Sequence, residues 1–326
     1  MEEKANFESR IDLSKVKATY EKIRAEIKKA IVGQEDLIDF LIIALFADGH
    51  VLLEGNPGLA KTLTARCLAK VIKTDFSRIQ FTPDLMPTDI TGTMIYNRKY
   101  SEFEFKKGPI FSNIVLIDEI NRSPAKTQAA LFEAMEEHQV TIDGKNHNLE
   151  APFMIVATQN PIDHEGTYSL PEAQLDRFLF KIVIDYPSIE EEVDILLLNE
   201  SLKQKQSIDS LIPSITPENL ILIRGLVSKV MVKKELLEYI AQLISATRKH
   251  PSLYIGASPR ASVNVLKASK AMAAIAGRDF VTPDDIKEVL TKVLNHRVAL
   301  NPEKELEGQS IESVLSMITE QIDVPR

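Results

Sequence analysis

Residues 51 to 62 hold the feature that most constrains the fold: an apolar run, a glycine-rich loop and a lysine–threonine pair. Residues 51 to 53 predict a buried strand, which Gly55-Asn56-Pro57-Gly58 then ends. Lys61-Thr62 precedes a helical pattern that begins at Leu63. This order predicts a phosphate-binding loop, in which backbone N–H groups and a helix N-terminus face the phosphates of a nucleotide.

The loop residues have separate expected roles at these phosphates. Lys61 would reach the β- and γ-phosphates of ATP, and the Thr62 hydroxyl would ligate Mg²⁺. Ala60 departs from the usual pattern, which has glycine before the lysine. Alanine is compatible with helical dihedrals there, but its methyl group would loosen the closest approach of a phosphate. Taken alone, the motif also fits a Gly-Pro turn before an ordinary helix. The expected nucleotide-binding residues are Gly55, Asn56, Pro57, Gly58, Leu59, Ala60, Lys61, Thr62 and Leu63.

Size and composition exclude several classes of protein. At 326 residues, 44% hydrophobic and 26% charged, the chain is predicted to be soluble, globular and divided into two domains. Its net charge of -8 argues against a general nucleic-acid surface. Cys67 is the single cysteine and the histidines are scattered, so the expected metal is the Mg²⁺ that arrives with the nucleotide. A polar, acidic start and a short most-apolar run (40 to 47) predict a cytoplasmic protein.

Apolar runs and helical periodicity divide the chain in two. Runs that are apolar throughout are typical of parallel strands buried on both faces. After Pro187 only helical periodicity follows, and Thr216-Pro217 and Thr282-Pro283 are each expected to open a helix. We therefore expect an α/β domain at residues 1–187 and an all-α domain at residues 188–326. The predicted strands of the first domain are 51–53, 78–81, 113–119, 153–158 and 181–184.

A break between two predicted helices precedes the phosphate loop. The helices cover residues 12–30 and 35–48, and Val32, Gly33 and Gln34 lie between them. Because the break comes just before the loop, these three residues are candidate contacts for the base of the nucleotide. A plain helix–helix turn is the alternative.

Three further segments have local signals. Residues 82–92 are too broken by proline for regular structure. Alternating residues predict hairpins at 93–107 and at 139–150, the second around an Asp-Gly turn. Ser123-Pro124 is expected to cap and open a helix that runs to about residue 137.

Two carboxylates and an amide end neighbouring predicted strands. Asp118 is placed to hold Mg²⁺ through water, and Glu119 to act as the base for an attacking water. Asn160, which precedes Pro161, would orient that water. For Asp118 and Glu119 the alternative is a strand that runs out into a polar loop. For Asn160 the alternative is a residue that forms a turn before proline.

Two arginines are candidates for contact with the γ-phosphate. If the segment around Arg177 is helical, the adjacent Asp176 points elsewhere and is a poor partner for it. The free guanidinium could then serve as an arginine finger, for example for a neighbouring subunit. Arg260 follows Ser258-Pro259, a good cap and first helical residue, where a cation opposes the helix dipole unless an anion is near. Surface solvation is the alternative for both arginines, and an ion pair is a further alternative for Arg177.

Together these motifs resemble the AAA+ ATPases. The phosphate loop, Asp118-Glu119, Asn160, Leu175-Asp176-Arg177-Phe178 and Ser258-Pro259-Arg260 occur in that superfamily's order. The stretches Asp118-Glu119-Ile120-Asn121-Arg122 and Leu170-Pro171-Glu172-Ala173-Gln174 are similar to its MoxR group. The resemblance covers residues 20 to 300.

The resemblance implies a fold, an assembly and a set of roles. The fold is a P-loop NTPase (AAA+) core with a parallel five-stranded sheet and a C-terminal all-α lid, assembled as a ring that is expected to be a hexamer. Lys61 and Thr62 would belong to Walker A, and Asp118 and Glu119 to Walker B. Asn160 would be sensor 1, Arg177 a finger acting in trans and Arg260 sensor 2. Inserts at 82–110 and 139–150 would face the pore or a client.

MoxR-like proteins are regarded as chaperones that mature other proteins, often by inserting a metal or cofactor, with partners that contain a von Willebrand factor A domain. The implied activity is Mg²⁺-dependent ATP hydrolysis. Three alternatives stay open: the motor subunit of a metal-chelatase-like complex, a nucleic-acid motor, and a nucleotide-switched scaffold without turnover. The acidic balance argues against the second, and intact Glu119 and Arg177 argue against the third.

Overall fold

The structure is a computed structural model that describes residues 11–160, 168, 170–201 and 208–325. The acidic start of the chain and Pro161 lie outside these residues. The chain forms two compact units. One is Lys22–Ile221, and the other takes the described residues up to Glu21 and those from Leu222 onward. No helix in the described part is long and apolar enough to span a bilayer.

The described strands are β1 His50–Glu54, β2 Phe76–Gln80, β3 Gly92–Asn97, β4 Glu102–Lys107, β5 Ile114–Asp118, β6 Gln139–Ile142, β7 Lys145–Asn148, β8 Met154–Gln159, β9 Phe178–Val183, β10 Leu253–Ile255 and β11 Ala299–Leu300. The helices are α1 Ser14–Ile27, α2 Glu35–Phe46, α3 Lys61–Val71, α4 Pro87–Thr91, α5 Ala125–Glu137, α6 Glu172–Leu175, α7 Ile189–Ser201, α8 Pro217–Ser228, α9 Lys234–Thr247, α10 Pro259–Ile275, α11 Pro283–Leu294, α12 Pro302–Leu306 and α13 Ile311–Gln321.

A five-stranded parallel sheet with the order β2-β5-β8-β1-β9 forms the centre of the first unit. Its central strands are apolar on both faces, and every residue of β5 is buried. Such strands need helices on both sides, because a strand apolar on both faces cannot leave either face in water. The predicted parallel sheet is therefore confirmed. Since the strands run in one direction, the carboxyl ends of β1, β5 and β8 share one edge.

One face of this sheet packs against α5. Leu131 and Phe132 of α5 join a buried cluster with Val115, Ile117 and Phe178 from the strands. The ring of Phe132 meets that of Phe178 edge to face at 6.1 Å. Burial of side chains of this size, at about 1.5–3 kcal/mol each, stabilises the sheet that positions the polar residues at its edge.

Two local predictions were wrong. Residues 82–92 contain the short helix α4, because Pro87 fits the first helical turn and the Asp89 carboxylate accepts a hydrogen bond from the Met86 N–H at 2.9 Å. Helix α5 begins at Ala125, with Pro124 as the capping residue. Ser123, predicted to be the cap, is buried instead and its hydroxyl has no hydrogen-bond partner in the described structure.

Both predicted hairpins are confirmed. Strands β3 and β4 pair antiparallel, as do β6 and β7 around an Asp143-Gly144 turn with φ of 50° and 73°. Positive φ at both central residues is the geometry that an Asp-Gly pair favours. The hairpins meet where the Phe105 and His147 rings lie 4.2 Å apart, whereas Phe103 stays largely exposed.

The second unit is mainly helical, but it also contains a small sheet. Strands β10 and β11 pair antiparallel there, so the expectation that strands end at Pro187 was wrong. Because the two strands are only three and two residues long, the sequence contains no apolar run that would predict them. The helix starts predicted at Pro217 and Pro283 are confirmed.

A buried carboxylate holds the start of α11. Asp285 is 3% exposed and accepts hydrogen bonds from the N–H and the hydroxyl of Thr282, at 2.7 and 2.8 Å. The guanidinium of Arg278 donates to both carboxylate oxygens, at 2.8 and 2.5 Å. These bonds raise the pKa of Arg278, with burial acting in the opposite direction.

We expect Asp285→Asn to destabilise the protein by about 2 kcal/mol, because the amide loses the charge that Arg278 and the helix N-terminus require. The matched control is Asp284→Asn, since Asp284 is the exposed neighbour in the same helical turn. Urea unfolding of both variants measures the difference. Equal midpoints for the two variants would contradict this account of the cap.

Candidate functional site

A cavity of about 370 Å³ lies at the carboxyl edge of the parallel sheet. It brings together most of the phosphate loop and the polar ends of two neighbouring strands. Its lining residues are Pro57, Gly58, Leu59, Ala60, Lys61, Thr62, Leu63, Arg78, Gln80, Asp118, Glu119, Thr158 and Asn160. The side chains predicted to bind phosphate, Mg²⁺ and water thus share one site, although their roles stay predictions.

The phosphate loop leads directly into helix α3, which begins at Lys61. The Lys61 ammonium donates a hydrogen bond to the Gly55 carbonyl at 2.6 Å. Burial lowers the pKa of Lys61, while the carboxylates of Asp118, Glu119 and Glu54 act in the opposite direction. A partly desolvated cation at a helix N-terminus attracts anions, so this end of the cavity suits a phosphate group.

Two glycines of the loop meet different demands. Gly58 has φ +91°, a left-handed conformation that favours glycine. At Gly55 a β-carbon would lie 2.8 Å from the Ile184 carbonyl, so glycine permits the close approach of the loop to the segment after β9. The backbone path of the loop therefore favours glycine at both positions.

Ala60 does not have the right-handed helical dihedrals that would suit alanine best. It has φ 56° and ψ 13°, which is the left-handed region. A non-glycine residue in this region is strained by about 1–2 kcal/mol. The alanine before Lys61 therefore stores strain at the point where the loop enters α3.

Asp118 ends β5 and is buried, with 7% of its surface exposed. The Thr158 hydroxyl donates to its Oδ1 at 3.3 Å, and the Nε of Arg78 donates to its Oδ2 at 2.5 Å. Arg78 comes from β2, which pairs with β5. The buried carboxylate is thus neutralised by a cation from the neighbouring strand.

Glu119 has a left-handed backbone, with φ 56°, which ends the extended path of β5. Its N–H donates to the Thr158 hydroxyl at 3.0 Å. Its Oε2 accepts hydrogen bonds from the Gln80 amide at 3.0 Å and from the Arg122 guanidinium at 2.8 Å. Both donors bind Oε2, so Oε1 is the oxygen that would receive a proton if Glu119 acted as a base.

The chemistry of these groups fits a magnesium nucleotide. The Thr62 hydroxyl and the Asp118 carboxylate are oxygen ligands of the kind that Mg²⁺ prefers. Lys61 and the first N–H groups of α3 supply the positive charge that phosphates need. At about 370 Å³ the cavity is also within the usual range for small-ligand sites.

The segment predicted to contact the base lies outside this cavity. Val32 and Gly33 line a separate pocket together with α7 residues such as Glu191. Two contacts nevertheless connect this region to the phosphate loop. The Gln34 amide donates to the Asp185 carbonyl at 3.0 Å, and the Asn56 amide donates to the Tyr186 hydroxyl at 3.0 Å. Gln34 and the loop therefore bind adjacent residues after β9.

The guanidinium of Arg177 is already engaged, contrary to the expectation that it is left unpaired. Its Nη2 lies 2.6 Å from Oε2 of Glu136, and its Nη1 donates to the Ala173 carbonyl at 2.9 Å. It also stacks over the Phe132 ring, 5.8 Å from the centroid. Arg177 lies in the turn between α6 and β9, and its partner Glu136 comes from α5.

Asn160 lines the cavity directly after β8, as its position in the sequence predicts. Arg260 belongs to the second unit, where it is exposed in the first turn of α10. That helix begins at Pro259 with Ser258 as its cap, which confirms the predicted helix start. Contact of Arg260 with a nucleotide stays a prediction.

Four residues that bind the carboxylates at the end of β5 were not predicted from the sequence: Arg78, Gln80, Arg122 and Thr158. Arg78 and Gln80 alternate with Ile79, so they lie on one face of β2, which is a signal for a shared role. The signal is not specific, because only the strand order, in which β2 lies beside β5, shows that these side chains contact Asp118 and Glu119.

We expect Ala60→Gly to stabilise the protein by about 0.5–1 kcal/mol, because relief of left-handed strain exceeds the entropy that glycine adds to the unfolded chain. Ala25→Gly is the control, since Ala25 is exposed within α1 and should lose about 1 kcal/mol. Guanidinium unfolding gives both values. A loss of stability in both variants would show that Ala60 is not strained.

Comparisons with known proteins agree with this fold. The model of the ATPase family associated with various cellular activities (AAA) matches residues 50–180. The model of the AAA lid domain matches residues 245–318. The first range contains the five-stranded sheet except for β9's last residues, and the second lies in the mainly helical unit.

Three relatives extend the likeness to almost the whole chain. "Uncharacterized protein YeaC" of Bacillus subtilis is 49% identical over 92% of each chain. "Chaperone MoxR1" of Mycobacterium tuberculosis is 42% identical over 94% of this chain and 83% of its own. A crystal structure of a candidate ATPase from Cytophaga hutchinsonii is 42% identical, with a TM-score of 0.89 over 96% of this chain and 97% of that one. The chain therefore belongs to the MoxR family of AAA+ ATPases.

Proposed function

We propose that this chain hydrolyses ATP with Mg²⁺ and uses the hydrolysis to remodel a partner protein from within a ring of identical subunits. The observation that supports it best is the single cavity that joins the phosphate loop with Asp118, Glu119 and Asn160. Binding of a phosphate would need only the loop. A carboxylate pair and an amide facing the same cavity are the groups that attack by water requires.

The residues of the cavity divide the work of hydrolysis. Lys61 and the N-terminus of α3 bind the phosphates. Thr62 and Asp118 would hold Mg²⁺. The bound metal would offset the negative charge that develops on the phosphates. Glu119 takes the proton of the attacking water on Oε1. Asn160 orients that water by its amide.

Two arginines complete the site in this proposal. Arg177 acts on the nucleotide of a neighbouring subunit, for which it must exchange Glu136 for phosphate oxygens. Both partners are partly exposed, at 25% and 36%, so their ion pair is worth about 1 kcal/mol or less. Negative charge in the transition state would offset the loss of this ion pair of Arg177, because an arginine finger is worth about 10³-fold or more in rate.

Arg260 is proposed to act as sensor 2 for the γ-phosphate.

The proposed output is maturation of a client, such as insertion of a metal or cofactor, together with a partner that contains a von Willebrand factor A domain. The relative named as a chaperone supports this output. The hairpin β3–β4, whose Tyr96 and Phe103 rings pack edge to face while both stay half-exposed or more, offers an apolar surface for a client.

Steady-state ATP hydrolysis against protein concentration tests the proposal. Activity per subunit should rise steeply with concentration if a neighbour supplies Arg177. Glu119→Gln should keep ATP binding and lose turnover by about 10²-fold or more, because the amide cannot accept a proton. Arg177→Ala should lose about 10³-fold.

The matched controls are Glu104→Gln and Arg98→Ala, which change exposed residues of the hairpin β3–β4. Both should hydrolyse ATP at the wild-type rate. A wild type that binds ATP but does not turn it over at any concentration, even after addition of cell extract, would contradict hydrolysis and support a nucleotide-switched scaffold.

A further inference from the structure

Arg78 belongs to the nucleotide cavity without belonging to the phosphate loop. Its Nε donates to Oδ2 of Asp118 at 2.5 Å. The Asp118 side chain is 9% exposed, whereas that of Arg78 is 53% exposed. The pair thus joins a buried carboxylate, fixed at the end of β5, to a cation that is largely in contact with solvent.

A carboxylate removed from water needs a cation or several donors. Asp118 accepts one neutral hydrogen bond, from the Thr158 hydroxyl at 3.3 Å. The ammonium of Lys61 is bonded to the Gly55 carbonyl instead. Among the residues that the structure describes, Arg78 is therefore the cation in direct contact with Asp118.

The neighbouring contact on β2 differs in charge. Gln80 lies two residues further on the same face of the strand and donates a neutral amide hydrogen to Glu119. One strand face therefore gives a cation to the predicted metal ligand and an amide to the predicted base. Only the first contact places a positive charge where a metal ion would bind.

We propose that Arg78 is the resident counter-ion of Asp118 in the nucleotide-free protein, and that it competes with Mg²⁺ for this carboxylate. The inference rests on the proposed function, in which Asp118 is a magnesium ligand. Two cations beside one carboxylate repel each other, so Arg78 raises the Mg²⁺ concentration at which the nucleotide is held. Its exposed side chain can leave Asp118 readily once the metal is present.

The first test is thermal unfolding of the nucleotide-free full chain. Arg78→Met, which keeps an unbranched side chain but removes the charge, should lower the melting temperature by about 5 °C because Asp118 stays buried without its cation. In an Asp118→Asn background the same change should have no effect, since an amide needs no counter-ion. Arg98→Met, at the exposed tip of the hairpin, is the control.

The second test is a Mg²⁺ titration of the binding of a fluorescent ADP analogue. Arg78→Met should reach half-saturation at a Mg²⁺ concentration about tenfold lower than wild type, because the competing charge is gone. Arg78→Lys should keep the wild-type midpoint to within about threefold, since it restores the charge. A residue that only supported the fold would not move this midpoint downward.

Three results would overturn the proposal. One is an unchanged or higher Mg²⁺ midpoint in Arg78→Met. Another is loss of ADP affinity by the same factor at every Mg²⁺ concentration, which would make Arg78 a phosphate contact. The third is a destabilisation that persists in the Asp118→Asn background. If the wild type bound the ADP analogue without any dependence on Mg²⁺, the premise that Asp118 is a magnesium ligand would fail, whereas the proposed ATP hydrolysis is tested separately by turnover.

Discussion

The parallel direction of five strands determines where this protein can perform chemistry. Strands such as β5 are buried along their whole length, so a polar side chain is tolerated only where a strand ends. All the strands end at the same edge, and β1, β5 and β8 are neighbours there. The phosphate loop, the carboxylate pair and Asn160 follow these three strands, so their meeting in one cavity is a consequence of the sheet order.

Charge balance at that edge is the second constraint. Each of the strongly polar groups in the cavity already has a partner from the same unit. Lys61 has the Gly55 carbonyl, Asp118 has Arg78, and Glu119 has Gln80 and Arg122. Entry of a nucleotide with its metal would therefore exchange partners rather than fill a site of bare charges. Such an exchange would be sensitive to salt concentration, because two of the partners, Arg78 and Arg122, are about half-exposed.

In the proposed function, Arg177 would undergo a similar exchange of partners. In the single chain its guanidinium is bound by Glu136 and a carbonyl and lies over an aromatic ring. These contacts fix the direction of a long side chain at low energetic cost, and a fixed direction reduces the entropy lost when the arginine meets a new partner. If Arg177 acts on a neighbouring subunit as proposed, its charge would be satisfied within its own chain until that contact forms.

The sequence alone determined the elements whose signals are local. The buried strands, the Asp143-Gly144 hairpin, the helix starts at Pro259 and Pro283 and the phosphate loop all depend on short patterns of side-chain size, glycine and proline, and the parallel fold follows from fully apolar strands. Only the tertiary structure decided which groups the functional side chains touch. Arg78 and Asp118 are separated by 40 residues and meet because β2 pairs with β5, while Arg177 meets Glu136 because the turn after α6 lies beside α5. Partners chosen by strand order and helix packing leave no periodic trace in a sequence, since the pairing depends on long-range burial rather than on neighbouring residues.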